Sequence, residues 1–162
     1  MTGAPADFVQ RLDAVEVRLG ALAARRAPEG ALTSPDPPTG ERWEAGQVWA
    51  HLAEFIPYWL GETATVIERG MTEPVPFGRT KSDPGRVAAI EHDRRSDRLA
   101  LWNRVAGDIA RLRAFLLGLD AGAWQARGRH STLGEMDLAM IVDEFLVGHL
   151  DQHAAQLAGL LS

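Results

Sequence analysis

The sequence predicts an all-α protein, and more specifically a four-helix bundle. Four stretches place apolar residues at intervals of three and four, which is the spacing of one face of an amphipathic helix. No stretch carries the alternating β-branched residues and tight turns that are typical of strands. The length of 162 residues and the apolar content of 46% suit one domain with a substantial core. We therefore expect a single domain over residues 1–162.

The first two predicted helices are separated by a loop rich in proline and glycine. Residues 6–26 should form the first helix, whose apolar face consists of Phe8, Leu12, Val15, Leu19 and Leu22. Residues 28–40 have the composition of a connection. The second helix should begin near Arg42 or Glu44 and continue to about residue 69, and Pro57 should bend or interrupt it.

A second long connection, residues 70–82, precedes the third predicted helix. Asp83-Pro84 is a typical helix start, because aspartate caps free backbone amides and proline suits the first helical position. The apolar spacing then predicts one long helix that ends near residues 118–122, with a solvated, densely charged segment at residues 91–98. The fourth helix should begin at the capping-box pattern Thr132-Leu133-Gly134-Glu135 and end near Leu160.

Charge and composition exclude several classes of function. A formal net charge of −5 argues against a nucleic-acid partner, because binding to phosphates needs a surplus of basic side chains. The N-terminus lacks the pattern of a signal peptide, and no apolar run approaches the roughly 18 residues of a membrane span, so we expect a cytoplasmic protein without a membrane partner. No cysteine is present, so a metal would need nitrogen or oxygen ligands.

Three histidines form the strongest candidate site. His149 and His153 are about one helical turn apart, so both rings should project from the same face and could bind one metal ion. His51 lies among apolar residues of the second helix and would add a third ligand, leaving coordination positions open. The alternative interpretation is a surface pair of histidines and a separate core histidine.

Other polar residues are candidates for the surroundings of this site. Glu54 is one turn from His51, and Asp143 shares the fourth helix with the histidine pair; either could accept the second N–H of a metal-binding imidazole. His130 could border the site from the loop before the fourth helix. His92 lies in the charged segment and should be solvated. The sequence contains no phosphate-binding or dinucleotide-binding loop and no nucleophile elbow.

These segments together resemble the DinB-like superfamily of small bacterial metalloproteins. The resemblance rests on Trp43-(x)5-Trp49-Ala50-His51-Leu52-Ala53-Glu54, then Gly128-Arg129-His130, then Gly148-His149-Leu150-Asp151-Gln152-His153, and it covers almost the whole chain in helix order and length. It implies an up-down-down-up four-helix bundle with a divalent metal bound by His51, His149 and His153. Many members of this group pair as dimers, which makes a homodimer one of the expected states.

The resemblance also implies a class of reaction. Some members are transferases that use a low-molecular-weight thiol such as mycothiol or bacillithiol, and one branch isomerises maleylpyruvate with mycothiol. That branch has a glutamate in place of one histidine of the last helix, whereas this chain has histidine at both positions. We therefore expect a thiol-dependent transferase with a small-molecule thiol and an electrophilic substrate.

Two alternatives remain at the level of sequence. The first is metal-dependent hydrolysis with Glu54 or Asp143 as a base, and the second is a non-enzymatic, metal-binding stress-response module. Histidine nitrogen suits zinc and nickel, and iron or manganese would also be compatible with this ligand set.

Overall fold

The computed structural model describes residues 4–161. Most of these residues are helical, and a small sheet lies beside the helices. The α-helices are Ala4–Ala23 (α1), Ala45–Arg69 (α2), Pro84–Asp93 (α3), Arg98–Gly118 (α4), Leu138–Val142 (α5) and Gly148–Leu161 (α6), and the strands are Val75–Phe77 (β1), Arg127–His130 (β2) and Gly134–Asp137 (β3). A 3-10 helix at Ala121–Gln125 and a π-helical turn at Asp143–Val147 complete the regular structure.

The long helices pack around one apolar core. α1 packs against α4 and α6, and α2 packs against the same two helices, so the four form a closed ring in cross-section. Each buried leucine, isoleucine or phenylalanine stabilises the fold by about 1.5–3 kcal/mol. The largest fully buried side chains are Phe55, Leu12, Leu19, Leu52, Ile56, Leu101, Ile109, Leu112, Leu116, Leu138, Ile141 and Leu146. The predicted helical bundle is confirmed at this level, while the up-down-down-up order of directions stays a prediction.

The first two predicted helices are confirmed. α1 ends at Ala23, and α2 begins after Glu44, whose backbone N–H donates to the Gln47 side chain at 2.9 Å. α2 continues through Pro57 without interruption. α2 is therefore one continuous helix, and its buried face extends from Val48 to Val66.

The third predicted helix is wrong in one respect, because it is two helices. α3 ends at Asp93 and α4 starts at Arg98, after the cap Asp97, whose carboxylate accepts from the Ala100 backbone N–H at 2.9 Å. Aspartate side chains compete with helical hydrogen bonds in this way, and so they favour helix starts over helix interiors. The charged segment is largely exposed, as predicted.

The expectation of a purely all-α protein without strands is also wrong. β2 pairs antiparallel with β3 and parallel with β1, which gives a three-stranded sheet. The predicted capping box at residues 132–135 falls in this hairpin, and the last helical segment begins only at Leu138, capped by Asp137. The strands are three or four residues long; β1 contains a proline, and β2 and β3 are rich in glycine and charge, so they lack the pattern that predicts a strand.

Among residues 4–161, no helix combines the length and the apolar character needed to cross a membrane.

Candidate metal centre

The bundle brings the three predicted histidines together. His51 projects from α2, and His149 and His153 project from α6. The Nε2 atom of His149 lies 3.1 Å from Nε2 of His51 and 3.1 Å from Nε2 of His153. One nitrogen from each ring lies within 4.8 Å of the other two. Residues almost a hundred positions apart in sequence therefore present three nitrogen atoms to one small volume.

A π-helical turn directly before α6 sets the position of His149. Over Asp143–Val147 the helix is wider by one residue, and the Gly148 backbone N–H bonds to the carbonyl oxygen of Asp143. A Cβ atom on residue 148 would lie 2.5 Å from that oxygen, which is closer than side chains tolerate. Glycine is therefore required where the π turn returns to an α-helix. Such turns are frequent at functional sites because they change the direction of the following side chains.

Aromatic side chains surround the histidine rings. The Phe55 ring is 4.4 Å from the His149 ring between centroids, and Trp43 stacks on His153 at 6.5 Å with an angle of 12° between the planes. Trp43 also meets His51 edge-on at 5.3 Å. His51 and His153 are buried, whereas His149 keeps some access to solvent. This packing restricts ring rotation, so the three nitrogen atoms are held in place.

Burial keeps the three imidazoles neutral. Desolvation is the main cause that lowers the pKa of His51 and of His149 well below 6.5, and the neighbouring histidines lower both pKa values further. Desolvation also lowers the pKa of His153 to about 4, although its hydrogen bond to Gln156 opposes this shift. Neutral imidazole is the form that binds metal ions.

Hydrogen bonds on the far side of two rings fix where their protons lie. Nδ1 of His51 donates to the Glu54 carboxylate at 2.8 Å, and Nδ1 of His153 donates to the Gln156 side-chain oxygen at 2.6 Å. A neutral ring that is protonated on Nδ1 has a lone pair on Nε2. Both rings therefore direct a lone pair towards Nε2 of His149.

This arrangement fits a divalent metal ion. A neutral His149 has at most one proton on Nε2, and that proton cannot fully satisfy two lone pairs at 3.1 Å on different sides. Tetrahedral nitrogen ligands at about 2.0–2.1 Å from a shared ion are about 3.3 Å apart, close to the observed spacing. Three neutral nitrogen donors with a carboxylate behind one of them form a common zinc-binding arrangement.

Of the two predicted carboxylates, the structure brings only Glu54 to the cluster. One Glu54 oxygen accepts from His51 and the other accepts from Arg79, and both side chains of the Glu54–Arg79 ion pair are less than a tenth exposed. Desolvation raises the pKa of Glu54, and the Arg79 guanidinium opposes that rise. Asp143 instead pairs with Arg11 of α1 at 2.9 Å and is half-exposed. Glu54 thus orients a ligand, and Asp143 connects two helices.

His130 lies beside the histidine cluster, and its ring nitrogens form hydrogen bonds with backbone groups. Its Nδ1 accepts from the backbone N–H groups of Thr132 and Leu133, both at 3.3 Å, and its Nε2 donates to the Arg79 carbonyl oxygen at 3.1 Å. Both ring nitrogens are therefore engaged. His130 anchors the sheet to the loop that carries Arg79, and Arg79 in turn holds Glu54.

Two cavities adjoin the histidine cluster, and four residues line both: His51, His149, Lys81 and Arg86. The polar cavity, about 250 Å³, is bounded further by Trp43, His153, Gln152 and residues of the loop 33–41. The aromatic cavity, about 420 Å³, is bounded further by Trp59, Phe145, Leu133 and Glu144. The cluster therefore faces open space on two sides, and each space is large enough for a small molecule.

The architecture is similar to that of a known protein structure. No family model and no curated protein sequence matches the chain. A solved structure, YfiT from Bacillus subtilis, matches with a TM-score of 0.71 at 18% sequence identity, over 99% of this chain and 87% of that chain. The chain therefore has the fold of YfiT. The resemblance seen in the sequence is therefore confirmed for the fold.

YfiT is described as a probable metal-dependent hydrolase with an unusual four-helix bundle topology. In the present chain, the sequence pattern identified the three histidines and Glu54 but not the basic residues of the site. Arg79, Lys81 and Arg86 lie on the loop 78–83 and the first turn of α3. For Arg79 and Lys81 the signal was the basic segment after Gly78, which lacks the spacing of a phosphate loop.

Proposed function

We propose that this protein is a metal-dependent enzyme that transfers a group to or from a low-molecular-weight thiol. The observation that carries the proposal is the convergence of three neutral histidine nitrogens beside two cavities. His51, His149 and His153 would hold the ion; zinc and nickel are the best fits to three imidazoles, with iron or manganese as further candidates. A bound divalent ion supplies Lewis acidity, which favours ionisation of a thiol or water in its open positions.

The side chains around the ion would act by positioning. Glu54 and Gln156 hold the Nε2 lone pairs of His51 and His153 towards the centre. Arg79 keeps Glu54 charged and fixed in a nearly dry environment. Lys81 and Arg86 bring positive charge to the edge of both cavities, which favours an anionic nucleophile such as a thiolate.

A thiol route suits this chain better than hydrolysis assisted by the carboxylates expected from the sequence. Both oxygens of Glu54 are engaged, and Asp143 pairs with Arg11 outside the two cavities. A thiol has an ordinary pKa of about 8.5 and needs little help to ionise, whereas water needs much more. Because the chain has no cysteine, the sulfur would come from a cosubstrate.

Metal-dependent hydrolysis is the second candidate, and one observation favours it. Glu144 is exposed and lines the aromatic cavity together with His149, so a carboxylate is available there to accept a proton from water. The description of YfiT as a probable metal-dependent hydrolase points the same way. A purely structural or stress-response metal module is disfavoured by the open space on both sides of the cluster.

The two candidates differ in their need for a thiol. Zinc-loaded protein should accelerate the reaction of bacillithiol or mycothiol with a chloro-dinitrobenzene. In that reaction a carbon–sulfur bond forms, chloride leaves, and the thiol proton goes to solvent. His149→Ala should abolish the acceleration, and His92→Ala, which changes an exposed histidine outside the cluster, should retain it. Release of nitrophenol from a nitrophenyl ester without thiol, lost in His149→Ala, would favour hydrolysis. A rate that is independent of metal would contradict both candidates.

The remaining expectations about partners and assembly also belong to this proposal. We propose a small-molecule thiol and an electrophile as partners, action in the cytoplasm, and a homodimer as the state to test by light scattering.

A further inference from the structure

Arg86 differs from the other cations of the site because no carboxylate pairs with it. Arg79 pairs with Glu54, and Lys81 pairs with Asp36 at 2.8 Å. The backbone N–H of Arg86 donates to the Asp83 carboxylate at 2.9 Å, but within residues 4–161 its guanidinium donates only to the Lys81 carbonyl oxygen, from Nη1 at 2.8 Å, and its Cζ lies 5.5 Å from the Trp43 ring centroid. No acidic oxygen of the described chain comes within ion-pair distance of the Arg86 guanidinium.

Two nitrogen atoms of the Arg86 guanidinium, Nε and Nη2, make no hydrogen bond within residues 4–161. Throughout the described chain, no fully buried side-chain nitrogen lacks a hydrogen-bond partner. The Nε and Nη2 atoms of Arg86 must therefore remain accessible, and Arg86 lines both cavities beside His51 and His149. Partial burial lowers the pKa of Arg86 below its ordinary value, but the guanidinium still carries its charge at neutral pH.

We infer that Arg86 binds a carboxylate group of the substrate, whose apolar part occupies the aromatic cavity formed by Trp59, Phe145 and Leu133. The inference rests on the proposed function, because it assigns a substrate class to the same site. A guanidinium with two free donor nitrogens matches the two oxygens of a carboxylate. The histidine cluster lies between the two cavities, so a substrate held in this way has its body beside the reacting centre.

A carboxylate suits this position better than a phosphate. Asp36 and Glu41 line the polar cavity on which Arg86 also borders. Because Asp36 is paired with Lys81, Glu41 supplies most of the negative charge that repels an anion, and the repulsion is roughly twice as large for a doubly charged phosphate as for a carboxylate. One arginine without a carboxylate partner supplies a single positive charge, which balances one negative charge.

The test compares 3-phenylpropionate with its uncharged amide, 3-phenylpropionamide. Binding is measured by calorimetry on the full chain, both zinc-loaded and chelator-treated, because a carboxylate can also bind zinc directly. In chelator-treated wild type, the acid should bind about tenfold or more tighter than the amide. The preference should vanish in Arg86→Gln, persist in part in Arg86→Lys, and remain whole in Arg129→Gln, which changes an exposed arginine outside both cavities.

Each other outcome overturns the inference. Equal binding of acid and amide to chelator-treated wild type would show that there is no carboxylate site. A preference for the acid that survives in Arg86→Gln would show that Arg86 does not form it. Tighter binding of phenylphosphonate than of phenylpropionate would show that the site prefers a phosphate-like group to a carboxylate. Zinc content, measured in the samples that were loaded with zinc, separates the carboxylate site from the proposed metal function. A chain that binds no zinc but retains the Arg86-dependent preference contradicts only the proposed metal function.

Discussion

Replacing Glu54 by glutamine should separate metal binding from folding stability. Glutamine keeps an oxygen that can accept from Nδ1 of His51, but it removes the close carboxylate partner of the buried Arg79 guanidinium and leaves only the more distant Asp83 carboxylate, at 3.9 Å. Both side chains of this pair are less than a tenth exposed. Removal of one partner from a buried ion pair costs about 3–5 kcal/mol, because the remaining charge stays desolvated. Loss of the carboxylate behind a metal-binding histidine weakens metal affinity by about 10–100-fold.

The assay has two parts. Urea unfolding of the chelator-treated protein, followed by circular dichroism at pH 7.5, gives the free energy of unfolding. Competition with a zinc-binding dye gives the affinity for zinc. In the double variant Glu54→Gln with Arg79→Met, the unpaired charge is gone, so most of the stability should return while zinc affinity stays low.

Two results would refute this reasoning. If the free energy of unfolding of Glu54→Gln lies within about 0.5 kcal/mol of the wild-type value, the Arg79 charge does not need Glu54 as its buried partner. If zinc affinity is unchanged, the negative charge of Glu54 does not strengthen His51 as a metal ligand.

Two further predictions concern the π turn and pH. Gly148→Ala should lower the free energy of unfolding by about 1–3 kcal/mol and weaken zinc binding, because its Cβ would lie 2.5 Å from the Asp143 carbonyl oxygen. Gly107→Ala, in an open stretch of α4, should instead be neutral or stabilising by urea unfolding. Burial lowers the pKa of His153 to about 4, so between pH 6.5 and 4 the unfolded chain binds the extra proton. Stability of the chelator-treated protein should therefore be complete above pH 6.5 and fall by about 3 kcal/mol through this group as pH decreases to 4. His153→Gln should lose less stability than wild type over the same range, and an equal loss would contradict the assignment.

The features that could be predicted from the sequence are those encoded by local spacing. The four-residue interval between His149 and His153 places both rings on one face of a helix whatever the rest of the fold does. The apolar spacing of α1 and α2 similarly determines which faces are buried. Helical spacing also predicted that His51 and Glu54 are neighbours, because they lie about one turn apart on α2.

The features that were missed depend on contacts between distant segments. The short strands at residues 127–137 have little strand pattern of their own and are defined by pairing with each other and with β1. The break before Arg98 is signalled by the cap Asp97, but the long apolar spacing around it suggested continuity. Arg86 shows no signal in the sequence, because its importance lies in the absence of a nearby carboxylate in three dimensions.

The π turn at Asp143–Val147 explains why helical spacing alone could not place Asp143. One extra residue in the turn changes the direction of the preceding side chains relative to those of α6. Asp143 pairs with Arg11 of α1, although its place on the same predicted helix as His149 and His153 made it a candidate partner of their rings.

Metal content tests the central claim most directly. The wild-type chain, purified without chelator and then dialysed, should contain one divalent ion per chain by elemental analysis. A variant with all three cluster histidines changed to glutamine should contain none, while His92→Gln should match wild type. A wild-type chain that takes up no zinc, nickel, iron or manganese, or a triple variant that keeps its metal, would contradict the assignment of His51, His149 and His153 as the ligands.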